Sequence, residues 1–159
     1  EYAHARNVTV EGEIGVIAGV EDDIQSEYST LATFEDTMRF VSETGIDAVA
    51  PAIGTAHGVY KTAPKLNFDL VERFGGESIP LVVHGGTGLT ADVFLRLIRL
   101  GAAKINISTA LKKIYLGSSR ELLKDEKAAP VEFDAAVRKA CEDEMYRYIA
   151  LFGGVEKTL

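Results

Sequence analysis

The chain alternates short apolar runs with longer amphipathic segments along most of its length. Four runs rich in apolar or β-branched residues recur in order: NVTVEGEIG (7–15), GIDAVAPAIG (45–54), IPLVVHGG (79–86) and AAKINIST (102–109). Each run is followed by a segment with helical periodicity. Apolar strands that alternate with helices are typical of βα units, in which helices cover both faces of a parallel sheet. The pattern therefore predicts an α/β fold.

The helical segments carry start and stop signals. Thr33 precedes an aspartate by three residues, which is a capping arrangement, and Gly45 closes that segment. Thr90 and Gly101 bound a second segment in the same way. Further helices are predicted in NFDLVERFGG (67–76), ALKKIYLGSSRELLKD (110–125) and EFDAAVRKACEDEMYRYIALFG (132–153). Since no linker or low-complexity tract interrupts these elements, we expect a single domain over 1–159.

Charge and composition narrow the classes of partner. The 159 residues are 47% hydrophobic and 26% charged, and the formal net charge is −7. This acidic balance argues against a nucleic-acid groove or an anionic membrane surface as a main partner, because both require clustered Lys and Arg. No apolar run approaches the roughly 18 residues of a membrane span, and the lone cysteine, Cys141, excludes an internal disulfide. We expect a cytoplasmic protein that binds neither nucleic acid nor membrane.

Polar residues gather where the predicted strands end. Glu11 and Glu13 close the first run, GTAHG (54–58) follows the second, HGGTG (84–88) follows the third, and 106–109 close the fourth. Parallel α/β sheets place their active sites at the carboxyl ends of their strands. The four ends together predict one site.

Two histidines are candidates for metal binding. His57 and His84 each follow a predicted strand and each precede a glycine. Imidazole is the commonest metal ligand, and a catalytic Zn²⁺ takes three protein ligands and keeps one open position. The alternative for each ring is a hydrogen-bonded core histidine. His4 lies in the segment before the first strand, away from these ends, and is not a candidate.

Glycines and hydroxyls beside His84 favour an anion site. In a Gly-rich turn, backbone N–H groups converge, and the following helix N-terminus adds positive potential. The candidate residues are Gly85, Gly86, Thr87, Asn106, Ile107, Ser108 and Thr109, and ordinary turn chemistry is the alternative for both loops. Glu13 and Glu21 are weaker candidates, for orienting a ligand or binding a cation. Lys104 has a possible Schiff-base role, with a structural charge as the alternative.

Several sequence motifs of this chain resemble those of a known protein family. VEGEIGVIAGVEDD, TGIDAVAPAIGTAHGVYK, PKLNFDLVE, IPLVVHGGTGLT, LGAAKINIST and IALFGG are similar, in this order, to class II fructose-bisphosphate and tagatose-bisphosphate aldolases. The resemblance implies a (β/α)₈ TIM barrel that reversibly cleaves a ketose 1,6-bisphosphate to dihydroxyacetone phosphate and an aldehyde. It also implies Zn²⁺, a monovalent cation (Na⁺ or K⁺) near the phosphate, and a homo-oligomer, a dimer or a tetramer.

The resemblance also implies roles for individual residues. His57 and His84 match two of three zinc ligands, and Glu13 matches a carboxylate near the metal. Glu21 matches a loop acid that assists proton transfer. The positions that hold the phosphate correspond to Gly58, Gly85, Gly86, Thr87 and Asn106 to Thr109.

One family motif is missing from the sequence. The family carries an Asp-His pair, which supplies the acid/base aspartate and the third zinc histidine, and this sequence contains no such pair. We therefore expect the chain to be the C-terminal half of the barrel, strands five to eight with the C-terminal helices, and to be inactive alone. Two alternatives stay open: a non-catalytic half-barrel that binds phosphate, and a metal-free lyase that uses Lys104.

Overall fold

Strands form within the predicted apolar runs. The computed structural model describes residues 1–17, 19–21, 24–26, 30–58, 60, 64–125, 127 and 129–153. Its strands are β1 (Glu11–Ile14), β2 (Gly19–Glu21), β3 (Ile24–Ser26), β4 (Ala48–Pro51), β5 (Leu81–Val83) and β6 (Ala102–Ile105). The strands β1, β4, β5 and β6 form one parallel sheet in that order. The predicted α/β class with a parallel sheet is confirmed.

The helices lie close to the predicted segments. A 3₁₀ turn (His4–Arg6) is followed by α1 (Phe34–Thr44), α2 (Phe68–Phe74), α3 (Ala91–Arg99), α4 (Thr109–Leu122) and α5 (Pro130–Leu151). Thr33 caps α1 by accepting a hydrogen bond from the Asp36 N–H, and Gly45 ends it in the left-handed conformation. Thr90 occupies the cap position of α3 but makes no side-chain capping bond. In the described part of the chain, no helix is long and apolar enough to span a membrane.

Two compact units make up the chain, Glu1–Ile107 and Ser108–Leu159. The first contains the strands and α1 to α3, and its core is apolar. Fully buried apolar side chains of the strands and helices include Val49, Leu81, Val83, Val71, Phe74, Phe94 and Leu97. The second contains α4 and α5, which pack on each other and bury Val137. The expectation of a single domain stays a prediction.

The loop after β1 differs from its prediction. We expected a loop there, with Glu21 as a loop acid, whereas β2 and β3 pair as an antiparallel hairpin that includes Glu21 as the last residue of β2. The next two acidic residues, Asp22 and Asp23, lie outside the described residues. The position of Glu11 also needs correction, because Glu11 begins β1, whereas we expected it at the end of the strand. Glu11 and Glu13 therefore both lie within β1, and the pairing of β1 fixes the direction of their side chains.

Candidate active site

His84 lies between two carboxylates just beyond β5. Its Nδ1 atom is 2.5 Å from Oε2 of Glu13, and its Nε2 atom is 2.9 Å from Oε1 of Glu11. Only 14% of the His84 side chain is exposed. A carboxylate accepts a hydrogen bond from a ring N–H, so a carboxylate partner is present whichever ring nitrogen of His84 carries the hydrogen. Each ring nitrogen of His84 therefore faces a carboxylate oxygen of β1.

Lys104 extends this group of charges. Its ammonium donates a hydrogen bond of 2.8 Å to Oε2 of Glu11, so the two oxygens of Glu11 contact different partners. Burial acts to raise the pKa of the Glu11 carboxyl, but the hydrogen bonds and charges of Lys104 and His84 outweigh it and hold that pKa below its ordinary value. This ion pair favours a structural charge at Lys104 over a Schiff-base role.

The sheet brings these side chains together across an intervening strand. β4 lies between β1 and β5, and Glu11 and Glu13 pair with Ala48 and Ala50. Paired residues in a parallel ladder point to the same face, so each glutamate has an alanine beside it on β4. Because the alanine side chain is a single methyl group, the longer glutamate side chains reach over β4 to His84.

Tyr60 connects the loop that carries His57 to the loop that carries His84. Its hydroxyl accepts a hydrogen bond from the Ala56 N–H (3.1 Å) and donates one to the Gly85 carbonyl oxygen (2.7 Å). Burial raises the pKa of the Tyr60 phenol, although the bond from Ala56 opposes this. His57 and His84 are thus each one residue away from a backbone group that Tyr60 holds.

The glycine loop approaches other backbone segments closely. Gly85 has φ +71°, and a Cβ placed on it would lie 2.6 Å from the Ala56 carbonyl oxygen. At Gly86 an added Cβ would lie 2.7 Å from the Ile107 Cδ1 atom. The Gly86 N–H donates to the Asn106 carbonyl oxygen at 3.2 Å, so this N–H is paired within the protein. This bond joins the loops after β5 and β6.

The remaining predicted site residues fall in several places. Gly58 has φ +92°, and no atom of the described residues lies within 4 Å of the position where a Cβ would project. Thr87 is buried. Ser108 and Thr109 belong to the second unit, where Ser108 precedes α4 and Thr109 begins it. The first turn of α4 contains no acidic residue, which suits an anion.

Two residues near His57 were not predicted from the sequence. One is Tyr60, whose partners are backbone groups and so leave no trace in a motif. The other is Thr55, which is 2% exposed and whose Oγ1 atom has no hydrogen-bond partner among the described residues. Buried hydroxyls are ordinarily hydrogen-bonded, and Thr55, beside the candidate site, is an exception among the described residues.

The donor types at this edge suit Zn²⁺, whose ordinary ligands include imidazole nitrogen and carboxylate oxygen. The described residues do not form a complete set, however: within them, no group of three or more His, Cys, Asp or Glu side chains could hold a metal ion. The chain therefore contributes part of a donor set.

Comparison with known proteins identifies the family. The model of the family described as fructose-bisphosphate aldolase class-II matches residues 1–157. The chain belongs to this family of lyases, as the motifs predicted.

Curated relatives agree with this assignment. A fructose-bisphosphate aldolase of Geobacillus stearothermophilus is 45% identical over 124 residues, which cover 77% of this chain and 43% of the relative. One of Staphylococcus epidermidis is 38% identical over 156 residues, which cover 96% of this chain and 54% of the relative. The chain thus spans about half the length of the curated relatives it matches.

Solved structures agree as well. The YdjI aldolase of Escherichia coli K12 aligns with TM-score 0.79 and 33% identity over 96% of this chain and 52% of that chain. A fructose-bisphosphate aldolase of Campylobacter jejuni aligns with TM-score 0.70 over 96% of this chain and 53% of that chain; at 21% identity, it supports the fold alone.

Proposed function

We propose that this chain supplies one half of the active site of a zinc-dependent class II aldolase. The reaction is the reversible cleavage of a ketose 1,6-bisphosphate to dihydroxyacetone phosphate and an aldehyde. The observation that carries the proposal is the His84 imidazole between the carboxylates of Glu11 and Glu13, at the edge of the sheet where the glycine loop begins. Family membership supplies the reaction class.

In this proposal His57 and His84 are two ligands of Zn²⁺, and Glu13 lies close enough to His84 to contact the same ion. When bound, Zn²⁺ acts as a Lewis acid that polarises the substrate's ketone oxygen. With a cation on one nitrogen of His84, the other nitrogen would keep its N–H for a carboxylate. The third histidine ligand and the acid/base aspartate come from outside the described residues. Glu21 assists proton transfer.

The glycine and hydroxyl residues bind the phosphate of the substrate. Gly58, Gly85, Gly86, Thr87 and Asn106 to Thr109 form the binding set, with a monovalent cation beside it. Glycine suits position 85 in this set, because a Cβ there would clash with the Ala56 carbonyl oxygen, 2.6 Å away, and push the two loops apart. Holding the phosphate orients the rest of the substrate and contributes to the rate through positioning.

The sheet is half of a barrel in this proposal. Its four parallel strands run in chain order, β1, β4, β5 and β6, and correspond to strands five to eight of a (β/α)₈ barrel. The matched relatives are about twice as long, which supports this assignment. The 159-residue chain alone is therefore expected to lack aldolase activity.

Zinc binding and turnover by the 159-residue chain test the proposal together. Removal of a ligand by His57→Ala or His84→Ala should weaken Zn²⁺ binding by more than the roughly 10–100-fold typical of an outer-shell partner. His4→Ala is the matched control, since His4 bonds Asp47 at the start of β4. Zinc affinity that neither variant changes would refute the metal role.

Three further outcomes are distinguishable. Cleavage of fructose bisphosphate by the chain alone, abolished by a chelator, would show that the chain contains a complete site. Phosphate binding without zinc binding would favour a non-catalytic half-barrel. Borohydride trapping of substrate on Lys104 would favour the metal-free lyase.

A further inference from the structure

We infer that Glu11 is a positioning residue that holds the His84 ring for metal binding, and that Lys104 fixes Glu11 in this role. The inference rests on the proposed function, in which His84 is a metal ligand. It assigns different roles to the two carboxylates on one imidazole. Glu11 orients the ring through Nε2, whereas Glu13 and Nδ1 face the cation.

The two carboxylates differ in how firmly each is held. Glu11 uses one oxygen for His84 and the other for Lys104, and 28% of its side chain is exposed. Within the described part of the chain, Glu13 contacts His84 alone, and 36% of its side chain is exposed. A carboxylate fixed at both oxygens suits orientation, while one with a free oxygen suits direct contact with an ion.

The chemistry of imidazole gives these positions distinct consequences. A histidine that binds a metal through one nitrogen ordinarily donates its other ring N–H to a carboxylate or carbonyl, and this bond fixes the tautomer and the orientation of the ring. With Glu11 at Nε2, the proton of the neutral ring is held on Nε2, and Nδ1 keeps the lone pair that a metal needs. Lys104 balances the charge of Glu11 and limits its movement.

Zinc affinity of the 159-residue chain, measured by competition with a chromophoric chelator, tests the inference. Glu11→Gln keeps the size of the side chain but removes its charge, and we expect binding about 10–100-fold weaker. Lys104→Met should weaken binding in the same direction by a smaller factor, and Lys104→Arg should restore it. Glu77→Gln is the matched control, because Glu77 is exposed in the turn after α2 and its substitution should change nothing.

Nitrogen NMR of His84 in the absence of metal gives a readout that loss of general stability does not produce. In the unsubstituted chain, the neutral ring should carry its proton on Nε2. In Glu11→Gln, the proton should shift toward Nδ1, beside Glu13. An unchanged tautomer would overturn the inference, whether or not the chain binds zinc.

The outcomes separate this inference from the proposed function. If His84→Ala leaves zinc affinity unchanged, the metal role of His84 fails, and the tautomer measurement still decides the role of Glu11. If His84→Ala abolishes binding but Glu11→Gln has no effect, the metal role stands and the inference fails. If Glu11→Gln does not fold, as judged by circular dichroism, Lys104→Met with Glu11 in place provides the deciding comparison, and unchanged affinity in it overturns the role of Lys104.

Discussion

The Tyr60 hydroxyl donates a hydrogen bond to the Gly85 carbonyl oxygen over 25 positions of sequence and accepts one from the Ala56 N–H. The two loops that carry His57 and His84 are therefore held together by a residue that is not itself a candidate ligand. The Tyr60 hydroxyl and two backbone groups thus link the loops.

Tyr60→Phe should lower the free energy of unfolding by about 1–3 kcal/mol, because it leaves the Ala56 N–H and the Gly85 carbonyl without this partner. Urea denaturation measures the loss. Tyr115→Phe serves as the control, since the Tyr115 side chain is exposed on α4 and should tolerate the same change. Equal stability of the two variants would contradict a structural role for the Tyr60 hydroxyl.

Gly45 and Gly85 form a matched pair for substitution by alanine. Both have similar left-handed backbones, with φ of +66° and +71°, but only Gly85 has a neighbouring backbone oxygen within reach of a Cβ. Gly45→Ala should cost about 1–2 kcal/mol for conformation alone. Gly85→Ala should cost a further ~1–3 kcal/mol from overpacking. Thermal or urea unfolding of both variants should show this difference; a smaller loss in Gly85→Ala would mean that the loops separate easily.

The two threonines before α1 and α3 should respond differently to substitution. Thr33→Ala removes a capping bond and should destabilise the chain by about 1 kcal/mol. Thr90→Ala should cost less, because Thr90 makes no side-chain capping bond. Denaturation of the two variants side by side checks this order, which depends on the bond and not on the residue type.

Asp47 should make stability depend on acidic pH. The hydrogen bond from the Val10 N–H, followed by that from His4, lowers the pKa of Asp47 below its ordinary value of 3.8. Because the folded-state pKa is the lower one, the stabilisation is present above 3.8 and is lost as pH falls through the folded-state value. The difference in unfolding free energy between the unsubstituted chain and Asp47→Asn should therefore shrink as pH falls through this window. A constant difference would contradict the assignment.

Local signals made the strands and helix ends predictable from sequence. The apolar runs mark β4 and β5, and Thr33 and Gly45 bound α1 at the expected residues. These features depend on neighbours within a few positions, so periodicity and capping rules suffice for them. The hairpin of β2 and β3 escaped prediction because its acidic sequence resembles a solvated loop.

The contacts of the candidate site were only partly predictable. Parallel α/β sheets place their active sites at the carboxyl ends of their strands, and this rule predicted that His57, His84 and the glycine loop lie at one edge of the sheet. The bond between His84 and Glu11 joins residues 73 positions apart and depends on the pairing register and on the small alanines of β4. The amino-acid sequence alone does not give the pairing register of the strands, so it does not specify these contacts.

The irregular pairing between β5 and β6 decides where Lys104 points. Leu81 pairs with Ala102, yet the next residue, Val82, pairs with Lys104, so Ala103 is an extra residue in β6. In a regular strand, Lys104 would share the face of Ala102 and enter the apolar layer beneath the helices. The extra residue turns the lysine to the opposite face, where Glu11 lies. Without Ala103 the pairing would be regular and Lys104 would still lie opposite Val82, so the bulge lets β6 hold one more residue without moving a charge out of the site.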